Sequence, residues 1–256
     1  MRTLRLIGLG WLFQFKQMSR SSFDSFLAIL WPIFFGTVAF FMFQQGGDPD
    51  ALIYAGLGAA VMGIWTATSM AAGTSLQRER WLGTLELLVA APQHFSLIIL
   101  PVGLATSTIG VYCMVATILW GRLVFGIELT IEQPLLFALA IPATLLSVGA
   151  LGFLIAVAFA RYRHAWALGS MSEYPVWLIC GFLVPLTLLP DWVRPISWLL
   201  APTWGMNAIR DAATGAAPLA DIAMCLLLGA AYVVIGVLVT DRVLHAARAR
   251  ASLSLT

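Results

Sequence analysis

The amino-acid sequence predicts an all-α membrane protein: six transmembrane helices, an N-terminal amphipathic interfacial helix, and an external re-entrant helical hairpin between spans five and six. Three observations carry this prediction. Of the 256 residues, 61% are hydrophobic and 10% are charged, against about a quarter charged in an ordinary soluble domain. The charges cluster in short segments between long apolar runs. Those runs match the roughly 20 residues that a helix needs to cross a bilayer, and six of them with short loops leave no room for a separate soluble domain.

Residues 2–20 come first. At 100° per residue Leu4, Ile7, Trp11, Phe15 and Met18 form one stripe, and Arg2, Arg5, Lys16 and Arg20 share another face. Leu6, Leu9 and Phe13 blur the pattern, yet it reads as a basic amphipathic helix lying in the membrane interface. The plainer alternative is a partly ordered basic tail.

The spans follow near 26–43, 51–76, 96–119, 134–160, 165–189 and 221–240. The first run ends in Gln44-Gln45-Gly46-Gly47-Asp48 with no small-residue cleavage pattern, so a retained span is expected rather than a signal peptide. With the N-terminus inside, the cytoplasmic pieces hold every basic residue except Arg122, Arg194 and Arg210, as the positive-inside rule requires. An even number of spans returns the C-terminus to the cytoplasm.

Two connecting stretches carry more pattern than a loop needs. Residues 77–92 place Leu82, Leu85 and Val89 three and four apart, with Glu79 and Glu86 on nearly one face. This is a short helix with a buried stripe and an acidic face, ended by Pro92. The plainer alternative for the two glutamates is a solvated face. Residues 189–210 are apolar but broken by Pro190, Pro195 and Pro202, with Trp192, Trp198 and Trp204 suited to headgroup level. A broken backbone at membrane depth has to be shielded by protein or water, which fits a re-entrant or interfacial pair of short helices.

Catalytic and metal patterns are thin. His94, His164 and His245 are dispersed, without a second ligand at metal spacing, and H-E-x-x-H and G-x-S-x-G do not occur. Cys113, Cys180 and Cys225 each fall inside an apolar run, where a thiol packs as a small apolar group. Glu173, in Ser170-Met-Ser-Glu-Tyr-Pro175, is costly within a membrane unless paired or hydrated. It lies either in a polar cavity or subunit seam, or at the cytoplasmic interface if the span begins later. The stripes Ala55-xxx-Ala59-xxx-Gly63 and Gly152-xxx-Ala156-xxx-Ala160 permit close helix approach and read as packing within one subunit.

The run Glu79-Arg80-Trp81-Leu82-Gly83-Thr84-Leu85-Glu86-Leu87-Leu88 with Pro92 resembles the E-R-x-x-G-T-L-E-x-L…P segment of ABC-2 type transporter membrane subunits, the permease half of bacterial ABC exporters. Pro185, Leu189-Pro190, Trp192, Pro202 and Ala208-Ile209-Arg210 are similar to that family's P…L-P-x-W…P…A-x-R stretch. The resemblance spans essentially the whole chain, 1–256, as a single transmembrane domain.

It implies that 77–92 is a coupling helix docking on an ATPase subunit, through Glu79, Arg80, Leu82, Gly83, Thr84, Leu85, Glu86 and Pro92. It further implies that 1–20 is the interfacial connecting helix. Pro190, Trp192, Pro202 and Arg210 would build the external re-entrant segment, 189–215. The chain's single lysine, Lys16, has no glycine-rich lead, so there is no phosphate-binding P-loop, and this chain is a transport subunit rather than an enzyme. ATP and Mg are expected on the partner and no cofactor on this chain. A second permease copy or homologue, membrane lipid around the bundle and no nucleic acid complete the expected partners. The expected location is the bacterial plasma (inner) membrane, and the expected cargo an amphipathic drug, lipid or natural product moved outward. An ion-coupled secondary transporter and an intramembrane enzyme are the alternatives.

Overall fold

The computed structural model describes residues 2–20, 22–44, 49–81, 83, 93–127, 131–159 and 165–250. In chain order its helices are α1 (Arg2–Ser19), α2 (Ser22–Gln44), α3 (Pro49–Trp81), α4 (Ser96–Phe125), α5 (Pro134–Phe159) and α6 (Ala165–Ile179). A 3-10 turn (Leu186–Leu188) leads to α7 (Val193–Trp198), α8 (Ala201–Thr214) and α9 (Leu219–Arg250). Among the described residues there is no strand. Four helices contain apolar stretches long enough to cross a membrane, at Leu52–Met70, Ser96–Phe125, Pro134–Ala158 and Leu219–Arg242.

Helix α3 is the centre of the bundle. It packs on α2, α4, α5 and α6, and Leu57, Ala60, Val61, Met62, Ile64 and Trp65 are all at most 1% exposed. Consecutive buried positions leave no polar face, which explains why this segment shows no amphipathic period. The small-residue stripes are packing sites within the chain. A Cβ on Gly63 would fall 2.6 Å from the Cβ of Cys113, and one on Gly152 would fall 2.4 Å from the Thr68 methyl. Leu135, Leu139, Leu227 and Val234 turn outward, as lipid-facing side chains do in a protein of this composition.

Helix α1 docks on α4 by the face the sequence marked. The Trp11 Nε1–H donates to Thr108 Oγ1 at 3.1 Å, Trp11, Phe15 and Tyr112 stack in file with centroids 5.7 and 6.1 Å apart, and Gly10 rests on the Pro101 ring. Leu4 departs from the expected stripe. It is 75% exposed, with Leu9 and Phe13 exposed beside it, so α1 carries a second apolar surface directed away from the bundle.

One expectation is corrected. The run 165–189 is not one helix: α6 stops at Ile179, and Gly181 adopts a left-handed φ of 72°, a conformation costly for any residue with a Cβ. At the other end of the bundle α3 continues through 77–80 to Trp81, and Gly83 has a left-handed φ of 68°. Leu82, Thr84, Leu85, Glu86 and Pro92 lie outside the described residues.

Candidate functional site

The best-defined polar constellation is where α6 breaks. Arg210, on α8, donates from Nη1 to the Gly181 carbonyl at 2.8 Å and from Nη2 to the Phe182 carbonyl at 2.8 Å and the Tyr54 carbonyl at 3.2 Å. Its guanidinium carbon lies 3.2 Å from the centre of the Tyr54 ring, a cation–π contact. The Tyr54 hydroxyl, on α3, donates to the same Gly181 carbonyl at 2.8 Å. Gly181 and Phe182 follow the end of α6, where carbonyls lack helical partners and the dipole is negative. A planar fork with several donors suits such a cluster. Burial lowers the Arg210 pKa, partly offset by Tyr54, to about 10, which still leaves it charged at neutral pH.

Local sequence explains how the three elements meet. Gly58, one turn after Tyr54 on α3, lets the Phe182 carbonyl approach so closely that a Cβ there would sit 1.7 Å from it. Helix α8 has Pro202 buried in its first turn, where the missing N–H costs nothing. Leu200 at its N-cap offers no side-chain acceptor; Tyr232 of α9 substitues, its hydroxyl accepting from the Ala201 N–H at 3.1 Å and donating to the Leu199 carbonyl at 2.5 Å. The Thr203 hydroxyl donates to the Ser197 carbonyl at 2.8 Å and ties α8 back onto α7.

The sequence-marked residues fall at two ends of α3. Pro190 and Trp192 are exposed, Trp192 at 68%, beside the α7–α8 pair that carries Pro202 and Arg210. Glu79 and Arg80 belong to the last turns of α3, with their side chains outside the described set. Tyr54 and Trp81 are about 40 Å apart along the helix at 1.5 Å per residue. Among the described residues no heavy atom lies within reach of a Cβ added to Gly83, whose left-handed backbone favours glycine.

Glu173 is buried on α6, with 8% exposure. Its carboxyl lies within electrostatic reach of the Thr66 hydroxyl of α3, but that hydroxyl makes no hydrogen bond of proper geometry. The indole N–H groups of Trp65 and Trp177 are also buried without a partner, while Trp177 and Tyr174 pack edge-to-face at 5.0 Å. Glu173 therefore sits inside the bundle rather than on its surface. His94 is exposed. Among the described residues no three His, Cys, Asp or Glu side chains converge as metal ligands.

Tyr54, Gly58, Gly181 and Phe182 escaped the sequence reading, because two of them act through backbone carbonyls and one through an absent side chain. A tyrosine inside an apolar run was the one available signal, since a buried phenol needs a partner.

Among the described residues the bundle is all helical, with a family-like segment at each end of its central helix. The model of the ABC-2 type transporter family matches residues 6–213. The chain belongs to the ABC-2 type transporter family. The match runs from α1 to α8 and includes both marked segments. This ABC-2 protein is thus a multi-pass membrane component of a transport system. No individual curated protein matches it.

Proposed function

We propose that the chain is the permease subunit of an ATP-driven exporter, crossing the bacterial plasma membrane six times with both termini cytoplasmic. The four long apolar helices supply four of the crossings. The 23-residue α2 supplies another, and α6 with the turn that follows it the last. Helices α7 and α8 form the external re-entrant pair, and α1 lies in the cytoplasmic interface. The cargo is an amphipathic drug, lipid or natural-product-like molecule, moved between two permease copies that close on each other.

The observation that carries this reading is the unbroken α3, which joins the Arg210 node to the family-like segment at its other end. An ATPase subunit holding ATP and Mg would dock there, through Glu79, Arg80, Leu82, Gly83, Thr84, Leu85, Glu86 and Pro92. A continuous helix transmits its push without a hinge. Glu173, buried on α6, would contact cargo if α3 and α6 separate.

The test is a membrane pull-down of the tagged chain beside Glu86→Arg and Gly83→Trp, scored for a co-purifying ATPase and its activity. Wild type should bring the ATPase down and both variants should lose it. An active chain with no ATPase in any sample would replace this reading with an ion-coupled transporter or an intramembrane enzyme.

A further inference from the structure

Beside the Arg210 node lies a half-open cavity of about 640 Å³ whose polar lining includes Arg210, Asn207, Glu132 and Asp211 and whose apolar lining includes Leu57 and Leu186. Its charges are of both signs and are not paired with each other. Arg210 directs its terminal nitrogens to carbonyls, its buried Nε–H has no partner, and among the described residues it has no carboxylate at ion-pair distance. Asp211, the next residue, attracts it through space without pairing with it, and a buried cation so weakly compensated favours an anionic group nearby. Asn207 stands one turn before it on α8, where i and i+3 share a face, and adds an amide.

Glu132 has no ion-pair partner among the described residues. The Glu132 carboxylate lies against Gly215, the left-handed residue capping the C-terminus of α8, where the helix dipole disfavours negative charge. Asp211 and Asp221 stand near enough to repel one another, so the pair can be fully ionised only at a cost unless a cation joins it. Among the described residues no three-ligand metal group exists. An organic ammonium, which donates hydrogen bonds to carboxylates, suits Glu132 and Asp211.

We propose that this cavity binds the zwitterionic head group of a membrane phospholipid, its primary ammonium at Glu132 and Asp211 and its phosphate at the Arg210–Asn207 wall. Leu186, half-buried at the cavity, takes the first apolar part of the lipid. The site rests on the orientation given above, which puts this end of the bundle at the outer surface. It does not depend on ATPase docking or on transport.

The experiment uses full-length chain in phosphatidylglycerol nanodiscs doped with phosphatidylethanolamine or phosphatidylcholine, with native mass spectrometry counting the lipid retained. Phosphatidylethanolamine should be held about tenfold more tightly than phosphatidylcholine, whose quaternary nitrogen donates no hydrogen bond. The double variant Glu132→Gln with Asp211→Asn should lose that preference while keeping the wild-type melting curve. Soluble glycerophosphoethanolamine should displace the lipid, locating the preference in the head group. Leu186→Trp, which fills the cavity and leaves both carboxylates in place, should abolish retention, and it decides the matter if the double variant does not fold. Equal retention of the two lipids by wild type overturns the proposal, as does an unchanged preference in the folded double variant or in Leu186→Trp. None of these readouts involves ATP, so failure here leaves the permease reading standing.

Discussion

Arg210 concentrates three structural roles in one side chain: it serves the carbonyls beyond α6, covers the Tyr54 ring and fixes α8. Arg210→Lys keeps the charge but not the planar fork, so at least one buried carbonyl loses its donor. The expected cost is about 2 kcal/mol, read as a lower thermal unfolding midpoint in detergent. Tyr54→Phe removes one hydroxyl bond and keeps the ring under the guanidinium, for about 1 kcal/mol. Gly58→Val has no such graded outcome. Its branched side chain would have to occupy the space of the Phe182 carbonyl, and the expected result is loss of the monodisperse peak in size-exclusion chromatography. Arg210 itself was legible as part of a family-like run. Its carbonyl partners were not, because a carbonyl is common to every residue and only the path of the chain makes these two available.

At the scale of single helices, sequence periodicity served α1 well and α6 poorly. The stripe Ile7, Trp11, Phe15 and Met18 is the face turned inward, because one side of α1 has a protein neighbour. The run 165–189 is apolar along most of its length, so it gave no sign of where the helix ends. Gly181 was the signal, easily lost among the 22 glycines of the chain. Gly10→Leu tests the docking of α1: the larger side chain meets the Pro101 ring and should lift α1 from α4. Limited proteolysis of membrane vesicles should then cut within 2–20 faster than in wild type, while the rest of the bundle keeps its digestion pattern. Unchanged cleavage would mean that Trp11 and Phe15 hold α1 without that contact.

For the whole molecule, composition alone announced a membrane bundle, since a 10% charge content cannot clothe a soluble surface. The centrality of α3 was not announced, as all-round burial and all-round lipid exposure call for the same residues. Its 33 residues have a geometric consequence. Each residue of an α-helix fixes a rotation of about 100° and a rise of 1.5 Å, so the azimuth of Gly83 is set by the number of residues counted from Tyr54. One alanine inserted after Met70 would leave both ends chemically intact and swing one of them about 100° around the axis. Seven inserted alanines would return it to within about 20°, displaced by about 10 Å. If the two ends work as one shaft, the first insertion should abolish ATPase co-purification or uncouple it from transport, and the second should restore at least binding. The phase of α3, as much as any side chain on it, is then a heritable property of this permease.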